Sequence, residues 1–347
     1  MTLTLAPSAA SVDALWVTAG DEYGSCHGAP SWCGLHSWVG VSRDGGATFQ
    51  DTAWDSTYAV DQANPYRVAV HPFNGAQAVV AARQGLPLTY TRDYGATWRN
   101  ASGTASVGLQ GNFWFAQPLA VEQQLPEDAA NFTLYYYNGT TTLFTSTDSG
   151  ATFAPTYGAF PSWSVPFFGV ATPPRGAAPA GDVWAFAGWK LYHSTNGGAN
   201  FSQVWQFYEL DHVFTLGPLP NVTSPSGRGA AELFAACAAA GAAEAAAAGK
   251  PPLPAPGAGA GYAVYAVGTR AYGEDAALYG SVDAGAHWEL LAGGNATPAN
   301  ALGDAPYVLE ASKREPGVLF VGTGGRGAWW RDVGAVLRAA LLKCGGE

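Results

Sequence analysis

The sequence predicts an all-β chain folded as a single β-propeller. Three observations carry this: an eight-residue turn motif that occurs five times, a near-regular spacing between its copies, and a composition poor in charge but rich in glycine and aromatic residues. Charged residues make up 12% of the 347 positions, against roughly 25% in an ordinary globular chain. Such a composition suits turn-rich β-structure and not helices.

The five copies are Ser42-Arg-Asp44-Gly-Gly46-Ala-Thr48-Phe49, Thr91-Arg-Asp93-Tyr-Gly95-Ala-Thr97-Trp98, Ser146-Thr-Asp148-Ser-Gly150-Ala-Thr152-Phe153, Ser194-Thr-Asn196-Gly-Gly198-Ala-Asn200-Phe201 and Ser281-Val-Asp283-Ala-Gly285-Ala-His287-Trp288. This is the Asp box. Each copy follows a strand-like run such as Leu143-Phe144-Thr145 and closes a hairpin. The Asp44, Asp93, Asp148 and Asp283 carboxylates and the Asn196 amide accept turn N–H groups, the glycine two residues on takes a positive φ, and the last aromatic packs between sheets. The box carboxylates therefore read as structural, and Trp98 and Trp288 as core.

Successive box positions are 49, 55, 48 and 87 residues apart, the period of a four-stranded propeller blade with one insertion. Residues 221–260, alanine-rich and including the proline run Pro251–Pro256, are low-complexity and are expected to be a disordered loop. A sixth unit without a box runs from Tyr307 to Trp330, and is expected to borrow strands from the other end of the chain. A seventh, degenerate unit would fall between Asn100 and Gln117. The domain reading is an N-terminal tail over 1–12, the propeller over 13–332, and a short C-terminal tail over 333–347 open to helix formation.

A net charge of −10, with 16 basic residues scattered singly, excludes a phosphate-binding face and hence nucleic acid. A neutral polysaccharide fits. Six sequons, at Asn100, Asn131, Asn138, Asn200, Asn221 and Asn295, use six of the eleven asparagines and point to N-glycosylation and secretion. Met1–Ser11 has neither a basic nor an apolar leader segment, so the expectation is a start internal to a longer precursor. No uninterrupted apolar run of about eighteen residues is present, and no membrane span is expected. The cysteines show no metal-ligand spacing, and no metal or cofactor is expected. Cys26 and Cys33 are close enough to staple one loop, whereas Cys237 and Cys344 suggest no role.

The segments around the boxes resemble those of glycoside hydrolase family 74, the xyloglucan-cleaving enzymes, in their C-terminal propeller. Ala19-Gly20-Asp21-Glu22-Tyr23-Gly24 with His27 is similar to the Gly-Asp-x-x-Gly-Phe-x-His segment that opens that propeller, although Ser25-Cys26 stands where the family has phenylalanine. Pro118–Val121 with Leu134–Tyr137, Gly181–Trp184 with Leu191–Thr195, Val264–Thr269, Gly303-Asp304 and Val321–Gly327 follow the family in order, over Asp13 to Asp332.

The resemblance implies seven blades, with six as the alternative given by the repeats. It also implies a second propeller from a longer precursor, an open cleft for a xylose-branched β-1,4-glucan, and inverting hydrolysis by one carboxylate from each propeller. Asp21 matches the general acid. No second segment of that kind precedes it, so this chain has no identifiable general base. Trp32 and Trp54, flanking the Asp21 loop, then Trp38, Trp114 and Trp163, are candidates for sugar stacking.

Two functions follow: a glycosidase propeller acting on xyloglucan or a related β-glucan, or a carbohydrate-binding propeller without catalysis. A sialidase would need a Phe/Tyr-Arg-Ile-Pro segment, and Tyr66-Arg67-Val68-Ala69 lacks the proline. A sortilin-like receptor would add a cysteine-rich module and a membrane span, and a photosystem assembly factor an arginine-rich patch.

Overall fold

In a computed structural model of the chain, the described residues are 2–7, 14–20, 38–54, 65–82, 87–103, 117–160, 168–206, 214–249, 253, 261–268, 276–293, 306–323 and 328–346. They fall into two compact units, Met1–Pro166 and Phe167–Glu347.

The first unit holds three four-stranded antiparallel sheets, each a meander in chain order. They are β1 (Thr2–Pro7), β2 (Leu15–Gly20), β3 (Trp38–Ser42) and β4 (Gln50–Asp51); β5 (Pro65–His71), β6 (Asn74–Ala82), β7 (Thr89–Thr91) and β8 (Arg99–Asn100); and β9 (Leu119–Val121), β10 (Leu134–Tyr137), β11 (Leu143–Ser146) and β12 (Ala154–Tyr157). The second unit continues with β13 (Phe168–Ala171), β14 (Val183–Ala187), β15 (Lys190–Ser194) and β16 (Ser202–Gln206), then β17 (Phe214–Pro218), β18 (Tyr262–Gly268), β19 (Ala277–Ser281) and β20 (Glu289–Gly293). Its last sheet has three strands, β21 (Pro306–Ala311), β22 (Val318–Thr323) and β23 (Ala328–Asp332).

Six antiparallel sheets of three or four strands, stacked within each unit, are the arrangement of propeller blades. First strands adjoin: β1 with β5 and β5 with β9 in one unit, β13 with β17 and β17 with β21 in the other. In the third, fourth and fifth sheets the second strands are covered on both faces, which is why Tyr-Ala-Val-Tyr-Ala-Val-Gly in β18 is one apolar run, buried throughout. Fourth strands lie outermost, and β4 and β8 are exposed.

Three expectations need correction. Thr2–Pro7 is a strand paired in register with β2, not a tail, and the sixth sheet gains no fourth strand from the described N-terminal residues. Within 221–260 the chain forms an 18-residue helix, α1 (Ala230–Ala247), not a disordered loop. Alanine is the strongest helix former, and Leu233, Phe234, Cys237, Ala238 and Gly241 give the helix a face to bury. A second helix, α2 (Gly334–Cys344), packs against it, and a disulfide joins Cys237 to Cys344. The pairing was invisible in the sequence because 107 residues separate the two cysteines. By length and mean hydropathy, 1.3, α1 could cross a membrane, yet Leu233, Phe234 and Cys237 lie in the same apolar core as β18 and β19.

Each box is the hairpin between the third and fourth strands of its sheet. In the third sheet the Ser146 hydroxyl donates to Asp148 Oδ1 at 2.8 Å and accepts the Gly150 N–H at 2.9 Å, while Thr152 donates its N–H to Oδ1 and its hydroxyl to Oδ2. Asp44 and Asp93 repeat this pattern, and Asn196 accepts the Asn200 N–H. The turn needs two successive left-handed residues. Besides the box glycines, Tyr94, Ser149 and Ala284 adopt φ of 56°, 59° and 55°.

Candidate functional site

The antiparallel meander separates each sheet into two ends. Boxes occupy one end, where third strands finish. The opposite end is where second strands finish and third strands begin, and there β2 ends at Gly20, immediately before Asp21. Asp21, Trp32, Cys26, Cys33, Trp114, Trp163 and Asn295 lie outside the described residues.

Register brings Trp38 to that end, because Ala19 pairs with Trp38 across β2 and β3. The indole, however, folds back along the sheet. It lies against Gly40, where an added Cβ would meet Trp38 Cζ2 at 2.2 Å, and donates its N–H to Asp51 Oδ1 at 2.6 Å. The box aromatic Phe49, 39% exposed, meets it edge-on at 6.3 Å. A partly exposed aromatic pair with a carboxylate at its border is a surface on which a sugar ring could stack and donate a hydroxyl hydrogen bond.

Trp54 corrects the expectation of a sugar-stacking residue. It is 0% exposed, donates its indole N–H to Thr89 Oγ1, and packs in one cluster with Trp16, Val39, Val80 and Trp98. A buried ring offers no face to a ligand.

The fourth and fifth sheets are joined by a buried polar network. His193 Nε2 lies 2.9 Å from Asp182 Oδ1, the Tyr262 hydroxyl lies 3.2 Å from Asp182 Oδ2 and accepts the Trp184 indole N–H, and the His193 ring stacks on Trp184 at 4.4 Å. Burial, then the nearby Asp182 charge, pushes the Tyr262 phenol well above its ordinary range. All four side chains are buried, so this acid–histidine pair serves packing and not substrate chemistry. Among the described residues no cluster of His, Cys, Asp or Glu could hold a metal.

The sequons divide. Asn100, Asn131, Asn200 and Asn221 are exposed. Asn138 is 0% exposed, its Oδ1 accepts Thr140, and its Nδ2, the atom a glycan would use, is enclosed without a partner. Sequence reasoning also missed an apolar surface on the sixth sheet, where the cross-strand neighbours Phe320 and Trp330 are 50% and 67% exposed beside Val308. Alternation along β22 is the signal, since Leu319 and Val321 point into the core.

No family model and no curated protein matches the sequence. Solved structures do. The GH74 xyloglucanase from Xanthomonas campestris aligns with a TM-score of 0.56 at 18% identity, over 94% of this chain and 36% of that one. The GH74 enzyme from Niastella koreensis gives 0.52 at 18% identity, over 96% and 37%, and an ancestral GH74 enzyme 0.55 at 14%, over 96% and 38%. The chain thus spans 36–38% of the length of these enzymes. Likeness across nearly the whole chain, at this low identity, is likeness of fold: the chain is a GH74-like propeller.

Proposed function

We propose that the chain is a carbohydrate-active propeller that binds xyloglucan or a related β-1,4-glucan and contributes the general acid Asp21 to its hydrolysis. The observation that carries this reading is the likeness to GH74 structures over 94–96% of the chain, with Asp21 directly after β2 in the segment that resembles the family's acid. Inverting hydrolysis needs an acid to protonate the leaving oxygen and a base, about 6.5–9.5 Å away, to activate water on the opposite face. The base would come from a second propeller of a longer, secreted precursor. The blade number on this reading is seven.

A second reading is a propeller that binds the glycan without cutting it. The Trp38–Phe49 pair favours it, because an accessible aromatic surface with a bordering carboxylate can hold a sugar without an acid–base pair. The disulfide supports an oxidising compartment on either reading.

Reducing ends released from xyloglucan test the first reading, with the chain alone and with a GH74 N-terminal propeller added. Release that requires the second propeller and is lost in Asp21→Asn supports it. Release that survives Asp21→Asn overturns the acid assignment.

A further inference from the structure

The fifth box places a titratable side chain in the turn: histidine stands at 287, where three boxes have threonine and one asparagine. The fifth sheet is also the one whose first connection, between β17 and β18, carries α1. That connection and the box share the same end of the sheet, so α1 sits against the box and not at the end where β18 stops.

Contact is close. An added Cβ on Gly241 would lie 2.2 Å from Ala286 Cβ and 3.7 Å from His287 Cε1, so only glycine lets the helix reach this turn. His287 Nδ1 lies 2.6 Å from Asp283 Oδ2, taking the place of the threonine hydroxyl in the other boxes. Its Nε2 lies 2.9 Å from Glu244 Oε2 on α1. Both ring nitrogens therefore face carboxylates, and both can donate only when the imidazole is protonated.

The helix is held unequally along its length. Leu233, Phe234 and Cys237 bury its first half, and the disulfide ties Cys237 to α2. After Gly241, Ala243, Glu244, Ala246 and Ala247 are exposed, and the last turn has no basic residue to offset the helix dipole. An imidazolium beside Glu244 supplies that positive charge.

We infer that Asp283, His287 and Glu244 form a pH-dependent clamp that fastens the second half of α1 to the fifth box in acid and lets it loosen as pH rises. Burial alone would lower the His287 pKa, but hydrogen bonds and charge from Asp283 and Glu244 outweigh it and raise it above 6.5. Among the described residues no other charged group acts on the ring: Asp283 lies on its own hairpin and Glu244 on α1, while the fourth-sheet residues at this turn, Trp184 and Val204, are uncharged. A histidine pKa raised by folding contributes fully below its unfolded value and is lost as pH rises through its folded value. The clamp is thus complete below about pH 6.5 and open in alkali.

The test is hydrogen exchange of residues 242–247 in the full chain between pH 5.5 and 8.5, corrected for intrinsic rates, in the native protein and in His287→Thr. The native protein should lose protection about three- to tenfold across this range, and His287→Thr should lose none. An NMR titration of His287 in the native protein and in Glu244→Gln stands beside it, in case His287→Thr does not fold. A pKa above 6.5 that falls in Glu244→Gln supports the clamp. Protection independent of pH in the native protein, an equal pH response in His287→Thr, or a titration unmoved by Glu244→Gln would each overturn it.

Discussion

Trp98, the aromatic of the second box, meets Trp16 of the first sheet edge-on at 5.9 Å, so a residue that closes a turn in one blade packs against the blade before it. The box glycines do the same. An added Cβ on Gly95 would lie 2.6 Å from Thr52, one on Gly150 2.3 Å from Val79, and one on Gly285 2.3 Å from Val204, in each case a residue of the preceding sheet or its edge. The Asp box is thus a spacer between sheets as well as a turn. Phe49, in the first box, has no preceding sheet within its unit, and it is the exposed one.

Gly150→Ala should therefore cost about 2–4 kcal/mol, from a left-handed alanine and an overpacked sheet contact together. Urea denaturation measures it. Gly176→Ala, at a positive φ with open space around it, should lose only the conformational part. Equal losses at the two sites would remove the packing role.

This spacing explains what could be read from the sequence. The segments that carried the family resemblance, Gly181–Trp184 and Leu191–Thr195, hold Asp182, Trp184 and His193, all buried in the network that joins the fourth and fifth sheets. Packing of this kind requires fixed residues at fixed intervals, so the scaffold shows in the sequence. Trp54 misled because a tryptophan after a short outer strand reads as a loop residue, while its burial beneath Thr89 depends on the second sheet. Likewise α1 was hidden by its composition: an alanine-rich segment looks low in information until a partner, here α2, buries one side of it. On the proposed function, substrate contacts would fall in the segments at the other end of the sheets, such as the one after β2, where no repeat constrains the sequence.

The box carboxylates set the acid limit of stability. Hydrogen bonds from Thr48 and Ser42 hold Asp44 at about 2, down from 3.8. Burial pushes Asp93 and Asp148 up, but the turn hydrogen bonds together outweigh it and lower both. A lowered carboxylate contributes stability above its unfolded value and loses it as pH falls through its folded value. Stability should accordingly fall between about pH 4 and pH 2, and less steeply in Asp44→Asn, as followed by thermal melts across that range. A pH-independent melt there would contradict the assignment.

The Cys237–Cys344 bond closes a long stretch of chain, and its removal should cost about 2–5 kcal/mol. Cys344→Ser, at the half-buried end of the bond, should show this loss, and a reducing agent should erase most of the difference between that variant and the native chain. Full stability of Cys344→Ser, or of the native chain after reduction, would show that the bond does not hold α1 and α2 together.

Glycan occupancy provides a check on burial. In protein secreted from a glycosylating host, peptide mass spectrometry should find glycan at exposed sequons such as Asn131 and Asn221 and none at Asn138. Occupied Asn138 in folded protein would contradict its enclosure.

The most direct measurement of the central claim is binding of the full chain to xyloglucan by affinity electrophoresis, beside an unbranched β-1,4-glucan and an α-glucan. The account predicts retardation by xyloglucan, reduced in Trp38→Ala, and none by the α-glucan. Unretarded migration through every β-glucan would contradict it.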